Sequence, residues 1–150
     1  MNILELIQAI AEKHKHEKFV LRPPVSPDRL AIFEKHIGFP LPDDFRTFYT
    51  ICDGFEMDDD DMFKFADLDE IMKGHGTKEK NAFHFADYLV YSDMWTLKYF
   101  GAGDYRIMHL GAKEIILTDS LAEFLGRFLQ GGVSDNGGLY DWHDEVRLIR

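Results

Sequence analysis

The sequence predicts an α+β fold: a block of helices, an antiparallel sheet of about four to six strands, and a late helix packed with the first block on that sheet. Three observations predict it. Apolar residues recur with helical spacing as far as Gly54, the period shortens to two near Phe83, and helical spacing returns between Ser120 and Gly131.

Asn2 with Glu5 three residues on is a capping pair for a first helix, and Ile3, Leu6, Ile7 and Ile10 give it one apolar stripe. His14, Lys15, His16 and Lys18 follow at its C-terminal end, where positive charge meets the dipole. Phe19-Val20-Leu21 suits a short strand or an anchoring run, and Arg22-Pro23-Pro24 is extended, since a residue before proline is kept out of the α region. Ser26 and Pro27 open a second helix, whose Leu30, Phe33 and Ile37 share a face until Gly38 closes it. Pro42, Asp43 and Asp44 start a third. Phe45, Phe48, Tyr49 and Cys52 lie on one face of it, and Gly54 supplies the stop.

Phe63 and Phe65 alternate around Lys64 as a half-buried strand would, and Leu68, Ile71 and Met72 suggest a turn of helix before a polar loop from Lys73 to Asn81. From Phe83 to Phe100 aromatic and branched residues predict two neighbouring strands, the first running through Tyr91 with a turn at Ser92-Asp93. Arg106 to Leu110 and Glu114 to Leu117 are two further strands. Ser120 and Glu123 cap a last helix bearing Leu121, Phe124, Leu125 and Phe128. The end, Leu139 to Arg150, is apolar enough to pack as a strand or tail.

The chain of 150 residues is sized for one domain, and residues 1–150 are expected to form it. A composition of 45% hydrophobic and 14% aromatic residues excludes a disordered chain. No window reaches the apolar length of a membrane span, and Glu5 interrupts the apolar N-terminus where a signal peptide would stay uncharged, so a cytoplasmic protein is expected. The net charge is −10, from 27 acidic against 17 basic side chains, which opposes nucleic-acid backbones and anionic lipid and suits a basic protein partner. Cys52, the lone cysteine, lies on an apolar helix face and reads as a buried thiol.

The run FEKHIGFPLPDDFRTFYTICDGFE, Phe33 to Glu56, resembles the N-terminal signature of the SUKH superfamily, in which a helix ends in Gly, then come Leu-Pro, an acidic-aromatic helix, and Asn or Asp before Gly. DYLVYS at Asp87 to Ser92 and DSLAEFLGRFL at Asp119 to Leu129 are similar to its middle strands and late helix, with a departure at Leu121, where an aromatic is expected. The resemblance implies a SUKH-like domain of the Smi/Knr type. Its bacterial members are immunity proteins that bind and neutralise a cognate toxin, often a nuclease. Its fungal branch implies the alternative, a scaffold in cell-wall signalling.

No catalytic spacing is present: there is no HExxH, GxSxG or GxxxxGK[ST], and the acidic run has no register with the EF-hand's Gly and Glu. Histidines at 14, 16, 75, 84, 109 and 143 have no metal-ligand spacing, so neither a metal nor a cofactor is expected. A hydrolase drawing on the many carboxylates is the remaining enzymatic reading, with no residue singled out for it. The sharpest feature is charge. Between Glu56 and Glu70 stand eight carboxylates, Glu56, Asp58, Asp59, Asp60, Asp61, Asp67, Asp69 and Glu70, against Lys64 alone. These are the candidate partner-binding residues of a non-catalytic module, and a solvated loop is the plainer alternative.

Overall fold

The computed structural model describes residues 1–57, 62–74, 79–111 and 113–149. Along them run α1 (Ile3–Lys13), β1 (Phe19–Leu21), α2 (Pro27–Ile37), α3 (Asp43–Ile51), β2 (Phe55–Met57), β3 (Phe63–Phe65) and α4 (Leu68–Gly74). Then come β4 (Ala82–Tyr88), β5 (Asp93–Gly101), β6 (Asp104–Leu110), β7 (Glu114–Thr118), α5 (Leu121–Gly131) and α6 (Leu139–Ile149). The α+β class holds. All seven strands join one sheet in chain order, each antiparallel to the next.

Seven strands exceed the expected four to six. Beyond the short strands the sequence suggested at β1 and β3, the addition is β2, of three residues. So short a run holds barely one alternation, and its strand character comes from partners that sequence spacing does not name. The C-terminal expectation also needs correction, because Leu139–Ile149 is helix rather than strand or tail. Leu139, Trp142, His143 and Val146 do fall at i, i+3, i+4 and i+7, but a histidine in the stripe hides it from a hydrophobic count. The strand expected through Tyr91 ends early as well: Leu89, Val90 and Tyr91 take positive φ of 51°, 50° and 70° in the turn between β4 and β5.

The helix-boundary signals are made as expected except at the end of α3, which stops at Ile51 with Cys52 as an extended C-cap, two residues before Gly54. Asn2 and Glu5 form the reciprocal capping box, while the Ser26 and Ser120 side chains accept from the N–H groups of Arg29 and Glu123. Gly54 has φ +82°, and a Cβ there would lie 2.2 Å from the Phe65 carbonyl oxygen, so the chain can turn from α3 into β2 only with glycine.

The core fills one face of the sheet. Phe45, Phe48 and Tyr49 of α3 are fully buried, and the Phe48 ring stacks on Phe65 at 4.1 Å. Phe124 of α5 meets Phe85 edge-on at 5.2 Å, and Phe128 stacks on Phe63 at 4.4 Å. Ile3, Leu6, Ile7 and Ile10 of α1, with Leu139 and Trp142 of α6, belong to the same cluster. Burial pushes the Cys52 thiol up to about 12, in keeping with an inert core side chain. Tyr105 of β6 donates to Asp44 Oδ2, and both oxygens accept from the N–H of Leu121, fastening the start of α3 to the start of α5.

Candidate functional site

On the other face of the sheet the register lines up one row across all seven strands: Val20, Glu56, Lys64, Asp87, Met94, Leu110 and Glu114. Period two forces this arrangement, because Phe55, Phe63, Phe65 and Trp95 point into the core and their neighbours must point away. After Val20 the row is charged from Glu56 to Asp87, turns apolar at Met94 and Leu110, and ends on Glu114. Above its charged half, α4 forms the wall of a cleft of about 790 Å³.

The cleft gathers four of the predicted partner residues, Glu56, Asp67, Asp69 and Glu70, and adds Asp87. Asp58, Asp59, Asp60 and Asp61 lie outside the described residues. The four carboxylates are not bare. Arg22 reaches Glu56 at 3.2 Å and Asp67 at 3.6 Å, Arg29 reaches Asp69 at 3.5 Å, and Lys64 reaches Glu70 at 2.6 Å. Asp67 has a structural duty too, accepting from the Glu70 N–H at 2.8 Å at the start of α4. Tyr91, from the β4–β5 turn, donates to Glu70 at 3.1 Å, and the Lys64 ammonium sits 5.9 Å from its ring centre.

Asp87 was not among the predicted site residues, and alternation from Phe83 and Phe85 would have put it on the covered face; the bulge between His84 and Ala86 turns it to the open one. It is 6% exposed. Burial holds its pKa above the usual carboxylate range, with the negative charge of Glu70 adding to the effect and Lys64 opposing it. Burial also works against the Lys64 ammonium, yet the Glu70 hydrogen bond and the nearby charge of Asp87 outweigh it and raise its pKa. Lys64 is therefore the cation shared by two carboxylates.

A second polar cluster lies on the covered face. His109 and His143 stack with ring centres 4.0 Å apart. Trp95 Nε1 donates to His143 Nε2 at 3.1 Å, which fixes that imidazole as an acceptor. Asp93 holds His109 Nε2 at 2.8 Å through one oxygen and accepts from Tyr140 at 2.5 Å through the other. Burial, then the neighbouring His109, lowers the His143 pKa to about 3. Among the described residues no three His, Cys, Asp or Glu side chains are placed to hold a metal ion. This cluster docks α6 on β5 and β6.

A helix, Gly38, Leu41-Pro42, an acidic-aromatic helix and Asp53-Gly54 therefore precede a meander sheet and a late helix. The model of the SMI1 / KNR4 family (SUKH-1) matches residues 24–127. The chain belongs to that family. The match runs from just before α2 into α5 and includes every carboxylate of the cleft, while α1, β1 and α6 lie outside it. No curated protein matches the chain. Among the described residues no helix is long and apolar enough to cross a membrane.

Proposed function

We propose that this SMI1 / KNR4 family member is an immunity-type protein: a non-catalytic, cytoplasmic binding module that neutralises a cognate basic toxin, with a nuclease as the leading candidate. We take residues 1–150 as one SUKH-type domain, since α1 and α6, outside the family match, contribute to the same core. The observation that carries the reading is the cleft. Five carboxylates, Glu56, Asp67, Asp69, Glu70 and Asp87, line it with three cations, Arg22, Lys64 and Lys73, in a chain of net charge −10. Such a surface speeds encounter with a basic partner and fixes its orientation. Asp58 to Asp61 follow Glu56 in the chain after Met57 and extend the acidic segment of the sequence.

Co-expression with the toxin domain encoded beside this gene tests the reading. Rescue of growth and a complex that survives gel filtration are expected; neither appearing would overturn it for that pair. Replacing Asp58 to Asp61 by Asn should slow association and flatten its salt dependence, because charge steering of a basic partner is screened over a Debye length of about 8 Å at physiological salt. These four positions suit the test better than Glu56, Asp67, Asp69 or Glu70, whose ion pairs also serve the fold.

A further inference from the structure

The charged cleft has an apolar continuation. A second cavity, about 400 Å³, shares Gly74, His84 and Met94 with the first and carries on over Met108 and Leu110 toward β7. The two form one trough over the open face of the sheet. In its apolar half two polar pairs are made, His84 Nδ1 lying 2.7 Å from Thr96 Oγ1 and Lys98 pairing with Glu79 at 3.4 Å, while the exposed Glu114 stands at the far rim. What that half offers an incoming group is apolar contact with Met94, Met108 and Leu110. Met108 is only 6% exposed yet stands apart from the main core cluster, so its burial does nothing for the helix-covered side. Methionine suits a surface that must mould itself to a partner, being unbranched and polarisable.

We propose that this trough seats one extended segment of the basic protein partner, with Lys or Arg side chains directed to the α4 end and apolar side chains laid over Met94, Met108 and Leu110. This rests on the protein-binding reading above and adds the chemistry and position of the bound segment. The excess of carboxylates over cations in the cleft argues for a cation at one end, and the methionine floor argues for an apolar group at the other. Asp87, the buried carboxylate next to Met94 in the row, lies at the junction. From β2 to β7 the sheet spans about 24 Å at ~4.8 Å per strand, the reach of roughly seven extended residues.

The chain has six methionines, and their ¹³C-methyl NMR signals report the trough without altering the protein. Met57, 3% exposed and in the main core, serves as an internal reference. Three twelve-residue peptides are titrated: alternating Lys-Leu, alternating Lys-Ser and alternating Glu-Leu. The Lys-Leu peptide should shift Met94 and Met108 saturably and leave Met57 in place, with Lys-Ser at least tenfold weaker and Glu-Leu without effect. Equal binding of Lys-Leu and Lys-Ser, binding of Glu-Leu, or no response to any peptide would overturn the proposal. With the toxin domain as the probe, movement of both methyls supports it. A toxin complex that leaves them unmoved sinks the trough and spares the immunity reading, whereas Lys-Leu binding without a toxin complex does the reverse.

Discussion

The two faces of this sheet are built by opposite rules. The covered face is aromatic: Phe55, Phe63, Phe65, Phe83, Phe85 and Trp95 interlock with Phe45, Phe48, Phe124 and Phe128 from the helices. The open face pairs opposite charges across strands, Glu56 beside Lys64 and Lys64 beside Asp87, and then turns to methionine. Both faces share one backbone and one register. A core face gains from each added contact, whereas the open face holds a buried carboxylate, Asp87, beside methionine side chains. Stability should therefore respond differently to substitution on the two sides.

The largest effect belongs to the covered face. Phe48 is 0% exposed and touches Tyr49, Phe55 and Phe65, so Phe48→Ala removes a ring that the helix and sheet cannot close around. A loss of about 3–5 kcal/mol in urea unfolding is expected. On the other face Val20, 46% exposed, should accept Thr within about 0.5 kcal/mol. Similar costs at the two positions would erase the distinction.

The second effect is a response of the covered face to acid. His143 of α6 faces His109, Asp93 and Arg147, and its folded pKa of about 3 lies below the 6.5 of a free imidazole. On acidification the unfolded chain takes the proton first, so the stability tied to neutral His143 is complete above pH 6.5 and is lost as pH falls from 6.5 through about 3. At about 1.4 kcal/mol per pKa unit the loss is on the order of 5 kcal/mol. His143→Gln, which keeps an acceptor for Trp95 and does not titrate, should flatten the dependence of unfolding free energy on pH in that window. An unchanged acid slope in the variant would mean that α6 is held by something other than this neutral imidazole.

Why some of this was legible in the sequence and some was not follows from where the information sits. Asn2 with Glu5, Ser26, Gly38 and Gly54 act on their own neighbours, and each does in the structure what its side chain or its missing Cβ dictates. The stripe Phe45, Phe48 and Tyr49 was equally readable, since a helix face is set by the helix alone, whereas Cys52, expected on that face, is buried one residue past the helix in extended backbone. The acidic cleft was half readable. The density of charge marked Glu56, Asp67, Asp69 and Glu70, but Arg22 and Asp87, distant in the chain, enter only through the pairing of β1 with β2 and of β3 with β4. Leu89-Val90-Tyr91 misled for a related reason: branched and aromatic residues suggest strand, and the register of β4 against β5 puts them in the turn instead. His109 and His143 likewise had no meaning until α6 crossed the sheet.

The smallest effect is the one that most directly separates a working face from a supporting one. Asp87 is buried, and its pKa is raised first by that burial, so the folded protein holds its proton to higher pH than the unfolded chain does. Stability then falls as pH rises from the ordinary carboxylate value of 3.8 through the raised one, and at neutral pH the ionised side chain counts against the fold. Asp87→Asn removes the charge and keeps the shape, and an amide oxygen can still accept from the Tyr91 N–H that Asp87 engages. The variant should gain about 0.5 kcal/mol at pH 7, a size common for substitutions away from the core, and the gain should vanish below pH 4, where the native residue is itself protonated. Lys64 retains Glu70 at 2.6 Å, so the cleft keeps its principal ion pair. A stabilised protein that binds a basic partner more weakly would mark Asp87 as a residue kept for binding at some cost to the fold. Loss of stability at pH 7 would instead place Asp87 with the supporting residues, and the open face would then be governed by the same rule as the covered one.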